Sequence, residues 1–252
     1  MEGPSLVILK EELKPFVGKK IKSASGLAAI EYQKITGQKI HAFKTWGKHF
    51  LIVFKDFAVR IHFLMFGSYR INERKETQPR LRLEFAGEKE IGFYTTAVTM
   101  IWENLDDVYD WSADVMSDSW DPRKARRKLR KSPEMNVGDA LLDQAIFSGV
   151  GNIIKNEVLF RIKIHPENII GSLPPRKLTE LISQARIYSF DFYEWKKVYQ
   201  LKKHWLIHTK LKCPRCQIVS FKKYTGLKNR RSFFCENCQV LYKPAGKVKN
   251  NK

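Results

Sequence analysis

Apolar residues in the first hundred positions come in short runs, continuous in Phe50-Leu-Ile-Val-Phe54 and alternating with polar ones in Ala58-Val-Arg-Ile-His-Phe63 and Leu81-Arg-Leu-Glu-Phe85. Runs of this length, rich in β-branched and aromatic side chains, predict strands, with turns at Lys55-Asp56, Asn72-Glu73 and Gly87-Glu88. Their regular spacing suits a sandwich or barrel-like sheet. Ahead of them, Leu6 to Phe16 reads as one short amphipathic helix that Ser5 can cap, with Pro4 just before it. From Asp106-Asp-Val-Tyr-Asp to about residue 205 the pattern turns helical, with helix starts at Ser119-Trp-Asp-Pro122 and Pro174-Pro175. The basic stretch Lys124–Lys131 reads as the solvated face of a helix. The chain therefore divides into a strand-rich part (1–112), a helical part (113–208), a cysteine-bearing unit (209–245) and a basic tail (246–252).

Charge adds a partner to this picture. Of 252 residues, 46 are Lys or Arg and 26 are Asp or Glu, a net charge of +20, while 43% are hydrophobic and 12% aromatic. That apolar content excludes a disordered basic tail. The surplus charge favours a polyanion, because each cation that neutralises a phosphate releases condensed counterions. Nucleic acid leads. An anionic membrane surface comes second, without a long amphipathic basic helix to support it. No apolar run approaches the ~18–20 residues that span a bilayer. The opening Met1-Glu-Gly-Pro-Ser5 lacks the basic start and apolar core of a secretory signal. The expectation is a soluble intracellular protein, in the cytoplasm or nucleoid of a bacterial host.

Cys213-Pro-Arg-Cys216 and Cys235-Glu-Asn-Cys238 are the chain's four cysteines. Two C-x2-C knuckles separated by 18 residues can close a tetrahedron of thiolates around one zinc ion, whose role is then structural, because four cysteines leave no open coordination position. Two disulfides are the alternative, disfavoured in an intracellular protein. Between the pairs, Lys222–Arg231 is basic and reads as a hairpin tip able to bring guanidinium groups to phosphates.

Leu141-Leu-Asp-Gln-Ala-Ile-Phe-Ser-Gly149-Val-Gly151-Asn152-Ile reads as helix, tight turn, helix. Gly149 and Gly151 allow positive φ or close backbone approach, and Asn152 stands where it could cap the second helix. The free N–H groups of that helix start suit a phosphate oxygen; Asn152 could also be a cap and nothing more.

These segments together resemble a family. Leu141-Leu-Asp-Gln, Gly149-Val-Gly-Asn152, Glu157-Val-Leu-Phe160 and Ile164-His-Pro166 resemble the helix-two-turn-helix of the Fpg/Nei DNA glycosylases, closer to the endonuclease VIII-like branch. Arg230-Arg-Ser-Phe-Phe-Cys235 resembles the family's zinc-finger hairpin, whose DNA-contacting arginine falls at Arg230. Gly47-Lys48-His-Phe-Leu51 resembles the segment carrying a DNA-contacting lysine, at Lys48. Glu2-Gly3-Pro4 resembles the family's Pro-Glu-Gly-Pro opening. The resemblance implies an α+β multidomain protein: an N-terminal β-sandwich with a flanking helix, then a helical domain with helix-two-turn-helix and zinc-ribbon finger, with damaged double-stranded DNA between them and the protein acting as a monomer.

In that family an N-terminal proline amine attacks C1′ of the damaged nucleotide, the base leaves, and the Schiff base permits strand cleavage, with a glutamate handling protons. Here Met1 stands in place of the proline and Glu2 follows it. Methionine removal requires a small second residue, so Met1 before Glu2 is expected to stay. Its primary amine would titrate near ~7.7–8.0 if unperturbed. Positive charge nearby, including Lys48, enlarges its neutral fraction, and a primary amine can form a Schiff base. The catalytic set implied is Met1, Glu2 and Lys48. Ser5 replaces a glutamate that the family usually carries, which removes one acidic group from the pocket.

Leu64-Met65-Phe66-Gly67 stands where the family presents the side chains that fill the gap left by a flipped nucleotide, Met65 being the leading candidate for insertion. The alternative is that Leu64, Met65 and Phe66 are core. Thr95–Met100 lacks the Arg-Arg-Phe-Gly-like wedge of the oxidised-purine branch, and no glycine lies between Gly171 and Gly226, where that branch has a flexible loop. Both features point to oxidised pyrimidines. The reading is a bifunctional DNA glycosylase and AP lyase of base-excision repair. The alternatives are a non-catalytic binder of damaged DNA or abasic sites with the same fold and, more distantly, a zinc-ribbon transcription accessory.

Overall fold

The computed structural model describes residues 1–243; the basic tail expected at 246–252 lies outside the described residues. Contacts divide the chain into two compact units, Met1–Trp111 and Ser112–Lys252, so the helices and the cysteine-bearing hairpin share one unit.

The first unit opens with α1 (Gly3–Glu12). This helix starts earlier than the expected Leu6–Phe16: Glu2 occupies the N-cap position, Pro4 sits in the first turn, and Ser5 is buried inside the helix instead of capping it. Proline lacks an N–H and is pre-set for helical φ, so it fits a first turn, where the N–H has no intrahelical partner anyway. The helix ends at Glu12, and Lys14–Phe16 continues as a 3₁₀ turn. There follow β1 (Ser23–Ser25), the short α2 (Tyr32–Ile35), β2 (Ala42–Trp46), β3 (His49–Val53), β4 (Ala58–His62), β5 (Ser68–Ile71), β6 (Leu81–Glu84), β7 (Glu90–Tyr94), β8 (Ala97–Ile101) and α3 (Leu105–Val108). Among the described residues these strands form two antiparallel sheets, ordered β1-β6-β7-β5 and β2-β3-β4-β8.

The two sheets share one core. Phe50, Ile52, Val59 and Ile61 of one meet Leu81, Leu83, Ile91 and Phe93 of the other, with Leu6, Leu9 and Leu13 closing the cluster. Because side chains alternate across a strand, Phe50 and Ile52 point into this core while His49, Leu51 and Val53 lie on the opposite face. Part of that second face is covered by Leu105, Tyr109 and Trp111, which pack with Leu51, Ala58 and Ile101. His49 and His62 lie beyond them, directly paired across β3 and β4.

The second unit contains α4 (Pro122–Arg130), α5 (Val137–Leu141), α6 (Asn152–Arg161), α7 (Pro175–Lys197) and the antiparallel hairpin β9 (Phe221–Thr225) and β10 (Arg230–Phe234). In α4, Asp121 caps the first turn by accepting the N–H groups of Arg123 and Lys124, and Ala125 and Leu129 face inward. Of its basic residues, Arg123, Arg127 and Arg130 are exposed, whereas Lys124, Arg126 and Lys128 are half-buried and donate to Ser112 Oγ, Thr179 Oγ1 and the Ala145 carbonyl, so the basic stretch is only in part the solvated face expected. The long α7 buries Leu178, Leu181, Ile182, Ala185, Tyr188 and Phe192, the spacing of three and four that one helical face requires.

The first helix of the glycine-turn region, α5, ends at Leu141, where the sequence reading of helix, tight turn, helix only begins it. Asp143 interrupts it: its side chain accepts the N–H of Ala145 and its carbonyl the N–H groups of Ile146 and Phe147, closing consecutive turns instead of another helical turn. Gly149 then takes φ +98°, a region that favours glycine. Among the described residues no helix is long and apolar enough to cross a membrane.

Candidate functional site

In the first unit, the chain start is held against the loop after β4. The Met1 amine donates to the carbonyl of Leu64 at 3.3 Å, and the N–H of Leu64 donates to Nδ1 of His62 at 3.3 Å. Leu64 adopts φ +49°, a turn conformation that points its carbonyl and N–H to two different partners. His62 is shifted down from the ordinary histidine value, first because it is partly buried and then because the amine, Lys48 and Arg60 place positive charge around it. Burial, helped by Arg60 and His62, carries His49 further, to about 4. Both rings are therefore neutral at pH 7, and a neutral His62 can accept at Nδ1.

Lys48 belongs to the two-residue turn Gly47-Lys48 joining β2 and β3, between the paired Trp46 and His49. It lies in the turn, not at a strand start, and Gly47 supplies the φ of +54° that the turn needs. Behind it is a rigid aromatic wall: Trp46 stacks obliquely on Tyr109, its indole N–H donates to the carbonyl of Asp110 at 2.9 Å, and His49 Nδ1 meets the Tyr109 hydroxyl at 3.2 Å. Glu2, half-buried at the N-cap of α1, makes no capping hydrogen bond with its side chain. Met1, Lys48, His62 and Arg60 thus share one electrostatic neighbourhood, with Glu2 adjoining Met1 in the chain.

Leu64, Met65 and Phe66 are not core. They are 50%, 72% and 79% exposed, three consecutive apolar side chains in a turn. The next residue must be glycine: a Cβ on Gly67 would lie 2.0 Å from the carbonyl oxygen of Phe63, and the Gly67 N–H donates to that same oxygen. A turn pinned at its base, with solvent-facing apolar side chains beside the amine, is what insertion into a base stack requires.

In the second unit, Asn152 is the first residue of α6 and Gly151 the N-cap, so the asparagine does not cap. Gly151 holds extended backbone there and leaves the Asn152 side chain available for other contacts. Its Nδ2 donates to the carbonyl of Arg231 in the finger hairpin at 2.9 Å. The same carbonyl accepts from Lys155 Nζ at 3.2 Å and Asn156 Nδ2 at 3.4 Å. Lys155 is buried and also donates to Ser232 Oγ at 2.9 Å. One face of α6 thereby grips β10 at Arg231, next to the exposed Arg230 with which the strand begins.

Glu157, fully buried, accepts the backbone N–H groups of Leu206, Ile207 and His208 and lies 3.5 Å from the Arg161 guanidinium. It anchors the segment leading into the finger. The sequence pattern contained Glu157 and Lys155 but assigned neither a partner, because those partners lie about 50 and 77 residues away.

The four cysteines meet in space: the sulfurs of Cys213, Cys216, Cys235 and Cys238 all lie within 4.8 Å of one another, and no disulfide joins them. Cys213 and Cys238 are 3.8 Å apart at sulfur, close to the ~3.8 Å edge of a tetrahedron with ~2.3 Å metal–sulfur bonds. Donors outside the cluster point at it, with Asn237 Nδ2 3.2 Å from Cys216 Sγ and Arg215 3.5 Å from Cys238 Sγ. Burial and the neighbouring cysteine sulfurs push the Cys238 thiol up to about 12, so a cation must compensate the charge before all four can ionise. The donor set fits a soft tetrahedral metal.

A two-sheet sandwich presenting an amine and an apolar turn, with a helix–two-turn–helix unit bearing a four-cysteine hairpin, defines the architecture of the helix-two-turn-helix glycosylases. The model for the formamidopyrimidine-DNA glycosylase N-terminal domain matches residues 2–96, and that for the H2TH domain of the same enzyme matches residues 112–187. The chain belongs to the Fpg/Nei family, on its endonuclease VIII-like side. It is 32% identical to Endonuclease 8-like 3 of Xenopus laevis over 223 residues, covering 83% of this chain and 36% of the relative. With Endonuclease 8-like 2 of Bos taurus it shares 31% over 195 residues, 72% of this chain and 58% of the relative. The chain thus spans about a third to three-fifths of the length of these relatives. Among solved structures, a viral DNA glycosylase aligns with a TM-score of 0.83 at 19% identity, over 95% of this chain and all of that one. Lactococcus lactis formamidopyrimidine-DNA glycosylase bound to DNA containing an AP site gives 0.83 at 24%, over 95% and 99% of the two chains. These structures share the fold.

Proposed function

We propose that this protein is a DNA glycosylase and AP lyase of base-excision repair that acts on oxidised bases, pyrimidines above all, in double-stranded DNA inside the cell. The observation that carries the reading is the juxtaposition, in one unit, of the Met1 amine, Lys48 and the exposed Leu64-Met65-Phe66 turn. Flipping a nucleotide costs a few kcal/mol of unstacking; Met65, with Leu64 and Phe66 beside it, would offset part of that by filling the vacated stack. Lys48 would hold a phosphate or sugar oxygen of the flipped nucleotide. In the second unit, Asn152 and Arg230 would bind phosphates, the first through the second N–H of its amide. One structural zinc ion held by Cys213, Cys216, Cys235 and Cys238 would keep the hairpin folded.

The covalent step balances as follows. The Met1 nitrogen lone pair bonds to C1′, the glycosidic bond breaks, and the base leaves with its electron pair and takes a proton. The nitrogen gives up a proton as the C1′–O4′ bond opens and O4′ accepts one, leaving an imine. Loss of the C2′ proton then expels the 3′ phosphate. Glu2, next to Met1 in the chain, would carry these protons.

Borohydride trapping tests the reading. Reduction of the imine on abasic-site duplex should yield a protein–DNA adduct whose DNA-bearing peptide begins at Met1, and prior α-acetylation should abolish it. Protein with an intact, unblocked Met1 that binds the duplex yet gives no adduct would be a reader of damaged DNA and not a lyase.

A further inference from the structure

The tip of the β9–β10 hairpin presents Leu227, which is 99% exposed. Such a side chain on a floppy loop would mean nothing, but this loop is clamped. Asp139 of α5, almost completely buried, accepts the N–H of Leu227 at 2.6 Å through one carboxylate oxygen and that of Lys228 at 3.2 Å through the other. The Lys228 amine reaches back to the Asp139 carbonyl at 3.4 Å. Gly226 takes φ +71°, and a Cβ there would lie 2.5 Å from both Asp139 oxygens, so only glycine lets the tip close onto the carboxylate. The clamp ties the exposed lysine back to α5 by its amine and leaves the leucine side chain in solvent. Exposed cations flank it on both strands: Lys222, Lys223, Arg230 and Arg231.

We infer that Leu227 is a DNA-contacting residue that buries its isobutyl group against the apolar sugar-and-base wall of a groove, while the flanking cations meet phosphates. The tip then contributes an attraction independent of salt, beside the electrostatic attraction of the strands. An apolar side chain held far from its own core by a buried carboxylate loses nothing on leaving the protein and gains on leaving water. This inference rests on the DNA-binding reading proposed above.

The test uses the full chain and a duplex carrying a stable abasic-site analogue, with affinity measured across a salt series. Leu227→Ala should weaken binding about ten-fold, the scale of burying one aliphatic side chain, with an unchanged slope of log K against log salt. Arg230→Ala serves as the comparator, whose slope should fall by about one counterion. Wild-type affinity for Leu227→Ala, or a loss confined to low salt, would overturn the inference. Absence of binding by the wild-type chain would instead overturn the functional reading. Leu227 is exposed, so its variant should melt with the wild type.

Discussion

The side-chain amide of Asn152 donates a 2.9 Å hydrogen bond to the main-chain carbonyl of Arg231, 79 residues further along the chain. It joins the two elements proposed to grip phosphates, the start of α6 and the finger hairpin, through a backbone atom that no substitution at Arg231 can remove. Lys155 and Asn156 converge on the same oxygen, so the position of Arg230 relative to the helix start is set three times over.

Asn152→Ala therefore removes one of three donors and leaves the hairpin attached. The stability lost should be about 1 kcal/mol or less, a fall in Tm of about 2–4 °C for a unit of this size. Affinity for abasic-site DNA should fall further than that loss accounts for. Thermal melts and binding isotherms on the same variant check it, and a binding loss no larger than the stability loss would make Asn152 a purely structural residue.

Arg230→Ala should weaken binding by a similar factor on every DNA sequence and flatten the salt dependence by about one counterion, as expected of a phosphate contact. An unchanged slope would remove Arg230 from the interface.

Metal removal should unfold the finger while sparing the sandwich. Native protein should release one equivalent of zinc to a chromogenic chelator after thiol modification. Cys213→Ser should lose that ion and expose Phe233, which packs in one cluster with Cys213 and Cys235. Retention of DNA affinity after complete zinc loss would show that the hairpin does not take part in binding.

Met65→Ala should leave the fold intact, because the side chain is 72% exposed. It should reduce both adduct formation and the fluorescence rise of a 2-aminopurine placed beside the lesion, the signal of unstacking. Equal fluorescence in variant and wild type would assign insertion to a neighbouring side chain.

His49 gives a pH prediction of definite sign. Its folded-state value, about 4, lies below the ordinary 6.5, chiefly through burial. Between those values the unfolded chain binds a proton that the native ring refuses, so stability falls as pH drops from about 6.5 towards 4 and is complete above that window. NMR titration should find the ring neutral at pH 5. Urea midpoints should show His49→Gln losing less stability than wild type across the same interval; an identical loss would place the acid sensitivity elsewhere.

Much of the fold was legible in the order of residues. The strands at 58–62 and 81–84 follow from their period-two patterns and that at 49–53 from a short apolar run rich in β-branched and aromatic residues, and α4 and α7 begin at the prolines that signal helix starts. Local cues failed where two residue types compete for one job. Ser5 looked like a cap, but the proline before it drew the helix start back to Gly3. Asn152 also looked like a cap, but Gly151 took that position and released its side chain to Arg231. Leu64, Met65 and Phe66 could not be told from core by composition, because hydrophobicity does not say which way a turn faces.

What the chain determined by itself was therefore chemistry and spacing: two cysteine knuckles, a glycine turn, an unusual first residue and a surplus of positive charge. Only the tertiary structure decided adjacency. It paired His49 with His62 through strand register, brought the Met1 amine to Leu64, and seated Asp139 beneath Leu227. Those contacts join residues 63 and 88 positions apart in the second and third cases. Helix and strand periods reflect forces acting over a few residues, whereas these pairings arise when whole sheets and helices bury their apolar faces together.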